Sequence, residues 1–183
     1  MRALRSDFDP VLAEHLDRRV REVPDFPKPG ITFKDLTPVL AHGPSLGAIV
    51  ERLAARYRAY ALDAIVAIES RGFLVGAPLA AALGAGVVIV RKPGKLPWKT
   101  RQVSYALEYG TDTLEIHEDA LAPGARVVVV DDVLATGGTM AAAVQLAQGL
   151  GAQVAEAAFV VELGFLGGRA RLGVPAASLL VYD

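Results

Sequence analysis

Short runs of consecutive apolar residues alternate along this chain with segments that have helical character. Each run is rich in Val, Ala, Ile or Leu and has the length of a strand buried on both faces of a sheet. These runs lie at 64–68, 86–90, 126–130, 154–161 and 178–182. The helical segments are predicted at 45–60, 73–83 and 139–150. Strands that alternate with helices predict an α/β fold with a central parallel sheet.

The N-terminal segment has weaker patterns. Asp9 followed by Pro10 predicts the start of a helix, because an acidic N-cap and a Pro at the first helical position suit that end. The segment 24–30 contains three Pro residues and one Gly, so it is predicted to be a loop. A short strand is predicted at 31–33.

Composition and charge narrow the possible functions. The 183 residues are 52% apolar, which suits one domain spanning 1–183 with a substantial core. The net charge of −1 gives no general attraction to nucleic acid, and no run of about 18 apolar residues predicts a membrane span. The chain has no cysteine and no apolar signal segment near its N-terminus, so we expect a cytoplasmic protein.

The most informative segment is the one that follows the apolar run 126–130. Two acids come first, and a turn of small residues leads from them into a predicted helix. Backbone N–H groups and hydroxyls at a helix N-terminus bind phosphate, and the acids can accept hydrogen bonds from ribose hydroxyls. The predicted phosphate and ribose site comprises Asp131, Asp132, Ala135, Thr136, Gly137, Gly138 and Thr139. The alternative is an ordinary Gly-rich connection.

These residues also resemble a known motif. The sequence VVDDVLATGGT at 129–139 is similar to the phosphoribosyl pyrophosphate motif of the type I phosphoribosyltransferase family. Three further segments, in the same order, resemble the adenine-specific branch of that family. They are PDFPKPGITFKD at 24–35, ESRGF at 69–73 with RKPGKLP at 91–97, and LEYG at 107–110.

The resemblance implies an enzyme of purine salvage. Its reaction would join adenine to the phosphoribosyl group of phosphoribosyl pyrophosphate, giving AMP and pyrophosphate. The implied fold is a five-stranded parallel sheet flanked by helices, with a small hood over the base to which about residues 1–35 contribute. A homodimer is also implied, as is Mg²⁺ that is bound through the substrate and not by direct protein ligands.

A basic segment follows the strand 86–90. It carries Arg91, Lys92, Lys95, Lys99 and Arg101 with no acid among them, and its Pro and Gly residues predict a loop able to close over a polyanion. The predicted pyrophosphate-binding residues are Arg71, Arg91, Lys92 and Lys95, and the resemblance assigns this contact to Arg71 and Lys92. It also implies that Arg91 is offered to the neighbouring subunit's site. The alternative is a solvated loop.

Strands are predicted at 103–109 and 113–117, with Gly110 in the turn between them. The resemblance gives Glu108 a catalytic role near the base, with Tyr109 beside it. A carboxylate at that place can balance positive charge on the ribose or handle a proton of the base. The alternative is that Glu108 is an exposed strand residue.

The base site is predicted from the segment 31–34 and from Leu163. Phe33 can stack on a purine, the backbone of Ile31, Thr32 and Lys34 can pair with the edge of adenine, and the resemblance places Leu163 on the other side. Phe33 and Leu163 could instead belong to the core. Lys34 departs from the family, which usually has Arg there, and a bidentate role is therefore not expected. The bulky Trp98 is a second departure.

Two other functions stay open on the sequence. A phosphoribosyltransferase for hypoxanthine, guanine or xanthine would share the motif at 129–139 and differ in the base pocket. A regulator that binds phosphoribosyl pyrophosphate without catalysis would be expected to carry a DNA-binding domain or a basic face. The chain has neither extra length nor net positive charge, and it retains Glu108 and the basic loop.

Overall fold

The computed structural model describes residues 4–106 and 110–183. A six-stranded sheet lies at its centre. From one edge to the other, its strands are β1 (Leu4–Arg5), β10 (Ala176–Tyr182), β9 (Gln153–Leu163), β8 (Arg126–Leu134), β4 (Ala64–Ile68) and β5 (Gly86–Val90). The short β1 is antiparallel to β10, and the other five strands are parallel. The predicted α/β class and five-stranded parallel sheet are confirmed.

Within the described ranges, five α-helices accompany the sheet. They are α1 (Pro10–Asp17), α2 (Thr37–Ala41), α3 (Gly43–Tyr57), α4 (Gly72–Leu83) and α5 (Gly138–Gly149). The predicted start of α1 is confirmed, since the Asp9 side chain accepts a hydrogen bond of 2.9 Å from the backbone N–H of Val11 and Pro10 is the first helical residue. In the described part of the chain, every helix is too short or too polar to cross a membrane.

Successive residues of the central strands face two separate cores. On β4, Val66 and Ile68 pack in the core that contains α5, whereas Ile65 packs in the core that contains α1, α3 and α4. This alternation follows from the two-residue period of a strand. Helices therefore cover both faces of the sheet, which explains why the strands are continuously apolar.

Two short antiparallel ribbons lie outside the central sheet. One pairs β2 (Arg21–Val23) with β3 (Phe33–Asp35), and the other pairs β6 (Thr100–Ala106) with β7 (Thr111–His117). The β6–β7 hairpin corresponds to the strands predicted at 103–109 and 113–117, but β6 starts at Thr100 and β7 at Thr111. The predicted strand at 31–33 is wrong by two residues, because pairing with β2, which was not predicted, fixes β3 at 33–35.

The strand β8 continues past the point where the sequence predicted its end. Pairing with β4 stops at Val130, but pairing with β9 continues to Leu134. Asp131 and Asp132 are therefore strand residues, and the prediction that they follow the strand is wrong. Because β8 continues beyond the end of its pairing with β4, both carboxylates lie at the open carboxyl end of the sheet, where ligands of α/β folds bind.

Candidate active site

A cavity of about 80 Å³ lies at the carboxyl end of β8. All of the residues predicted to bind phosphate and ribose, except Asp132, line this cavity. Its lining residues are Asp131, Val133, Leu134, Ala135, Thr136, Gly137, Gly138, Thr139 and Met140. We refer to the turn Ala135–Thr139 as the cradle. The cradle opens α5, so the unpaired N–H groups of the first helical turn are available to an anion there.

Two glycines give the cradle its shape. Gly137 has φ of 85°, a left-handed conformation that favours glycine, and it forms the N-cap of α5. Gly72 starts α4 so close to β8 that a Cβ atom on it would lie 2.9 Å from the carbonyl oxygen of Val130. The absence of a side chain at Gly72 thus lets α4 approach the carboxylate of Asp131.

The two aspartates have different environments. Asp131 is half-buried in the cavity, and one of its oxygens accepts a hydrogen bond of 2.9 Å from the backbone N–H of Asp132. Asp132 is buried and forms an ion pair with Arg71. Burial raises the pKa of Asp131, and the neighbouring Asp132 carboxylate raises it further. The ionised form of Asp131 is therefore disfavoured in the ligand-free site, whereas the Asp132 carboxylate has Arg71 as its partner.

The predicted pyrophosphate-binding cations gather around Glu69, at the end of β4. A Glu69 carboxylate oxygen accepts hydrogen bonds from Arg91 Nε at 3.2 Å and from the backbone N–H of Lys92 at 2.9 Å. Lys95 forms an ion pair with the same carboxylate. Desolvation opposes ionisation of Glu69, but these contacts prevail and lower its pKa. The structure thus brings the cationic side chains of Arg91 and Lys95, and the backbone of Lys92, together on a carboxylate that was not predicted.

Tyr105 joins this cationic group to the cradle. Its hydroxyl lies 3.2 Å from Thr139 Oγ1 and 3.5 Å from Lys92 Nζ. Lys92 also forms an ion pair with Asp112, which accepts a hydrogen bond of 3.2 Å from the Tyr105 hydroxyl. The β6–β7 hairpin therefore contacts the cradle directly. Tyr105 and Asp112 were not predicted from the sequence, since nothing in their local sequence distinguishes them.

Glu115, on β7, binds the backbone of the basic loop. Its side chain is buried and accepts hydrogen bonds of 3.2 Å from the backbone N–H groups of Lys95 and Leu96. Thr100 Oγ1 and Gln102 Nε2 donate to its other oxygen. Desolvation opposes ionisation of Glu115, but these donors outweigh it and lower its pKa. The buried carboxylate consequently fixes the middle of the loop at Lys95 and Leu96.

A second cavity, of about 250 Å³, lies between the β2–β3 ribbon and the C-terminal strands. It is lined by Thr32, Lys34, Leu163, Phe165, Tyr182 and Asp183, so it includes three of the five predicted adenine-binding residues. Glu162 pairs with Leu134 across β9 and β8, and this register places Leu163 next to the cradle. The two cavities are thus neighbours.

Lys34 is held inside the second cavity by its own partners. It is buried, forms an ion pair with Glu22 and lies 4.1 Å from the centre of the Tyr182 ring. Phe33 lies on the opposite face of β3, and its ring meets Phe26 edge-on at 5.2 Å between centroids. The roles of Phe33 and of the exposed Ile31 toward a base stay predictions.

The predicted catalytic residues Glu108 and Tyr109 lie outside the described residues. Across 4–106 and 110–183, no group of three or more His, Asp or Glu side chains is arranged to hold a metal ion. The arrangement as a whole offers N–H donors for a phosphate, carboxylates for hydroxyls, and cations for a second anionic group. A partly apolar cavity adjoins these groups and suits a flat ring.

Comparisons with known proteins agree with this arrangement. Residues 39–173 match the phosphoribosyl transferase domain family. Adenine phosphoribosyltransferase of Roseiflexus sp. (strain RS-1) is 60% identical over 164 residues, which cover 89% of this chain and 95% of that protein.

Solved structures give the same result. The adenine phosphoribosyltransferase of Thermoanaerobacter pseudethanolicus superposes with a TM-score of 0.89 at 51% identity, covering 93% of this chain and 99% of that one. The Saccharomyces cerevisiae enzyme, complexed with D-2,5-dideoxy-2,5-imino-altritol 1,6-bisphosphate and adenine, has a TM-score of 0.88 at 40% identity, with coverage of 93% and 99%. This chain therefore belongs to the adenine phosphoribosyltransferase family.

Proposed function

We propose that this protein transfers the 5-phosphoribosyl group of phosphoribosyl pyrophosphate to adenine, forming AMP and pyrophosphate in purine salvage. The observation that carries the proposal is the cavity at the carboxyl end of β8, which is lined by both the cradle and Asp131. Such a cavity suits a ribose that bears a 5′-phosphate. The S. cerevisiae relative, crystallised with adenine and a bisphosphate, supports the choice of substrates.

Different residues of the site bind different parts of the two substrates. The N–H groups and hydroxyls of Thr136, Gly138 and Thr139 bind the 5′-phosphate, and Asp131 with Asp132 accepts hydrogen bonds from the ribose hydroxyls. Arg71, Lys92 and Lys95 bind the pyrophosphate and exchange carboxylate partners for phosphate oxygens as it arrives. Thr32, Lys34 and Leu163 enclose adenine beside the anomeric carbon.

The reaction breaks the bond from the anomeric carbon to pyrophosphate, which leaves with the bonding electrons, and forms a bond to a ring nitrogen of adenine, whose imidazole proton is released. Positive charge develops on the ribose between these events, so a nearby carboxylate stabilises the transition state more than the substrate. We assign that role to Glu108, with Tyr109 beside it. Exclusion of water by the loop 91–101 protects the activated ribose from hydrolysis.

Mg²⁺ fits this site as a companion of the substrate. The donors near the cradle are carboxylate, hydroxyl and carbonyl oxygens, which Mg²⁺ prefers, and the ion commonly keeps several waters. It would be held by oxygens of phosphoribosyl pyrophosphate, with Asp131 and Asp132 as neighbouring carboxylates. When bound, it offsets negative charge on the pyrophosphate leaving group.

The proposal is tested by incubating the purified protein with phosphoribosyl pyrophosphate, Mg²⁺ and one purine at a time. Adenine is expected to give AMP, with kcat/KM at least about 100-fold above that for hypoxanthine, guanine or xanthine, because a buried site matched to one base edge leaves other edges unpaired. Removal of Mg²⁺ by EDTA is expected to stop the reaction. Faster use of another purine, or binding without turnover, would contradict the proposal.

A homodimer is proposed on the exposed face of α4 and β5. Leu74 is 53% exposed, Val87 45% and Ile89 37%, and Trp98 on the following loop is 64% exposed. Val87 and Ile89 point to one side of an edge strand, and large exposed apolar side chains on such a face are typical of an interface. Arg91 follows directly on β5, so it is close enough to this face to enter the partner's site. The exposed apolar residues and the place of Arg91 beside them therefore both support a dimer interface at α4 and β5.

Replacing Ile89 by Asp is expected to give a monomer and to lower kcat/KM about tenfold or more, since a charge does not bury in an apolar interface and Arg91 then lacks a partner site. Light scattering gives the mass, and the AMP assay gives the activity. Val11→Asp is the matched control, because Val11 is 73% exposed on α1. A dimeric or fully active Ile89→Asp variant would argue against this interface.

We also place the reaction in the cytoplasm. The chain has no cysteine, which suits a reducing compartment. Fractionation of cells of the source organism, with detection of the protein by antibody, would test the assignment.

A further inference from the structure

A turn far from the sequence motif packs against the back of the cradle. A Cβ atom built on Gly168 would lie 2.1 Å from the carbonyl oxygen of Ala135 and 2.9 Å from the backbone nitrogen of Gly137. A Cβ atom on Gly137 would lie 2.4 Å from the carbonyl oxygen of Gly168. The two backbones are therefore in direct contact, with no side chain between them, and a shift of the turn is transmitted to the cradle.

The next residue, Arg169, fixes that turn to the rest of the fold. Its guanidinium forms an ion pair with Glu162, in which Nε donates to Oε1 at 3.1 Å. Nη1 donates to the carbonyl oxygen of Ala176 at 3.1 Å, and Nη2 donates to Asp7 at 2.7 Å. A planar guanidinium with several partners at fixed angles allows little movement of its own backbone.

The partners of Arg169 are themselves connected. The Ser178 hydroxyl donates to Glu162 at 2.6 Å, and the Ser178 backbone N–H donates to Asp7 at 2.9 Å. Glu162 and Ser178 are buried. Buried ion pairs add little net stability, because desolvation offsets their attraction, but they define geometry strictly. The network thus ties the N-terminal segment, β9 and β10 to the turn behind the cradle.

We propose that Arg169 is a positioning residue for the phosphate cradle. By holding Gly168 against Ala135 and Gly137, it keeps the N–H groups of the cradle aimed at the 5′-phosphate of the sugar substrate. The inference rests on the proposed function, because it takes the cradle to be the phosphate site. It adds a role for a residue that contacts no substrate and lies outside the motif at 129–139.

The test compares Arg169→Lys with a matched control, Arg56→Lys. Arg56 also makes a two-pronged contact with a buried glutamate of β9, at 2.6 and 2.7 Å to Glu156. The exposed side-chain fractions are 35% and 5% for Arg169 and Glu162, and 32% and 5% for Arg56 and Glu156. Glu156 lies six residues before Glu162, about 20 Å away along the strand, so the control changes the same chemistry far from the cradle.

The measurements are the Kd for ribose 5-phosphate by calorimetry, the KM for each substrate, and the urea midpoint. Arg169→Lys is expected to raise the Kd for ribose 5-phosphate and the KM for phosphoribosyl pyrophosphate about tenfold, with the KM for adenine changed less than about threefold. Arg56→Lys is expected to lower the urea midpoint similarly without changing any of these constants. If Arg169→Lys does not fold, Asp7→Asn removes one anion of the network, with an expected rise of about threefold.

The outcomes separate the inference from the proposed function. Unchanged ribose 5-phosphate affinity in Arg169→Lys, or an equal loss in Arg56→Lys, would overturn the role of Arg169 alone. In the fallback, unchanged affinity in Asp7→Asn would do the same. Failure of the unsubstituted protein to bind ribose 5-phosphate would overturn the proposed function, and this inference with it.

Discussion

Replacing Glu108 by Ala is expected to lower kcat by a factor of about 10²–10³, the scale for losing one well-placed electrostatic group. The KM for phosphoribosyl pyrophosphate should stay within about threefold, because the carboxylate acts on charge that appears only in the transition state. Tyr105, three residues earlier in the sequence, has its hydroxyl 3.2 Å from Thr139 Oγ1, so the described part of β6 contacts the cradle.

Two further variants define what the carboxylate does. Glu108→Gln keeps the shape and removes the charge, so it should lose nearly as much as Glu108→Ala if charge stabilisation is the main role. Glu118→Ala changes an exposed Glu after β7 and should leave kcat unchanged. A loss under about threefold in Glu108→Ala, measured from initial rates at saturating substrates, would remove Glu108 from the mechanism.

The strand β4 has the predicted bounds, 64–68, and all five of its residues are buried between apolar neighbours. The strand β5 also has its predicted bounds, 86–90, although it lies at the edge of the sheet and exposes Val87 and Ile89. β8 was predicted too short. Apolar residues indicate where a strand is buried, whereas pairing depends on the backbone, and the backbone of Asp131 pairs with β9 although its side chain is polar.

In the site, too, residues that are close in the sequence could be predicted, whereas residues that are brought together only by folding could not. The cradle could be predicted because its residues are consecutive in the sequence. The groups around it come from elsewhere: Tyr105 from a hairpin and Gly168 from a turn near the C-terminus contact the cradle, and Glu69 at the end of β4 contacts the basic loop. Their positions depend on packing of the whole chain, and no local pattern in the sequence encodes it.

The double replacement Asp131→Asn with Asp132→Asn is expected to weaken binding of phosphoribosyl pyrophosphate about 10³-fold. Hydrogen bonds to charged groups contribute roughly 1.5–3 kcal/mol each, and this variant loses two such acceptors. The fold should survive, because Arg71, which loses its partner, is about half exposed at 47% and can be solvated. Calorimetric titration measures the affinity, and Asp119→Asn, an exposed aspartate, is the control.

The single variant Asp131→Asn is expected to gain stability while it loses affinity. Burial and the Asp132 carboxylate raise the pKa of Asp131, so the folded protein holds this proton to higher pH than the unfolded chain does. That contribution is complete below the unfolded pKa of about 4 and is lost as the pH rises through the folded pKa. Ionised Asp131 therefore destabilises the ligand-free fold at pH 7, a cost that Asn avoids.

Urea unfolding of the ligand-free protein across pH 4–8 tests this expectation. Asp131→Asn should raise the free energy of unfolding at pH 7 by about 1 kcal/mol and should flatten its decline with pH, while Asp119→Asn should do neither. A variant that is less stable at pH 7, or that binds phosphoribosyl pyrophosphate normally, would contradict the assignment. The opposite signs of the two effects matter, since general damage to the fold would lower stability and affinity together.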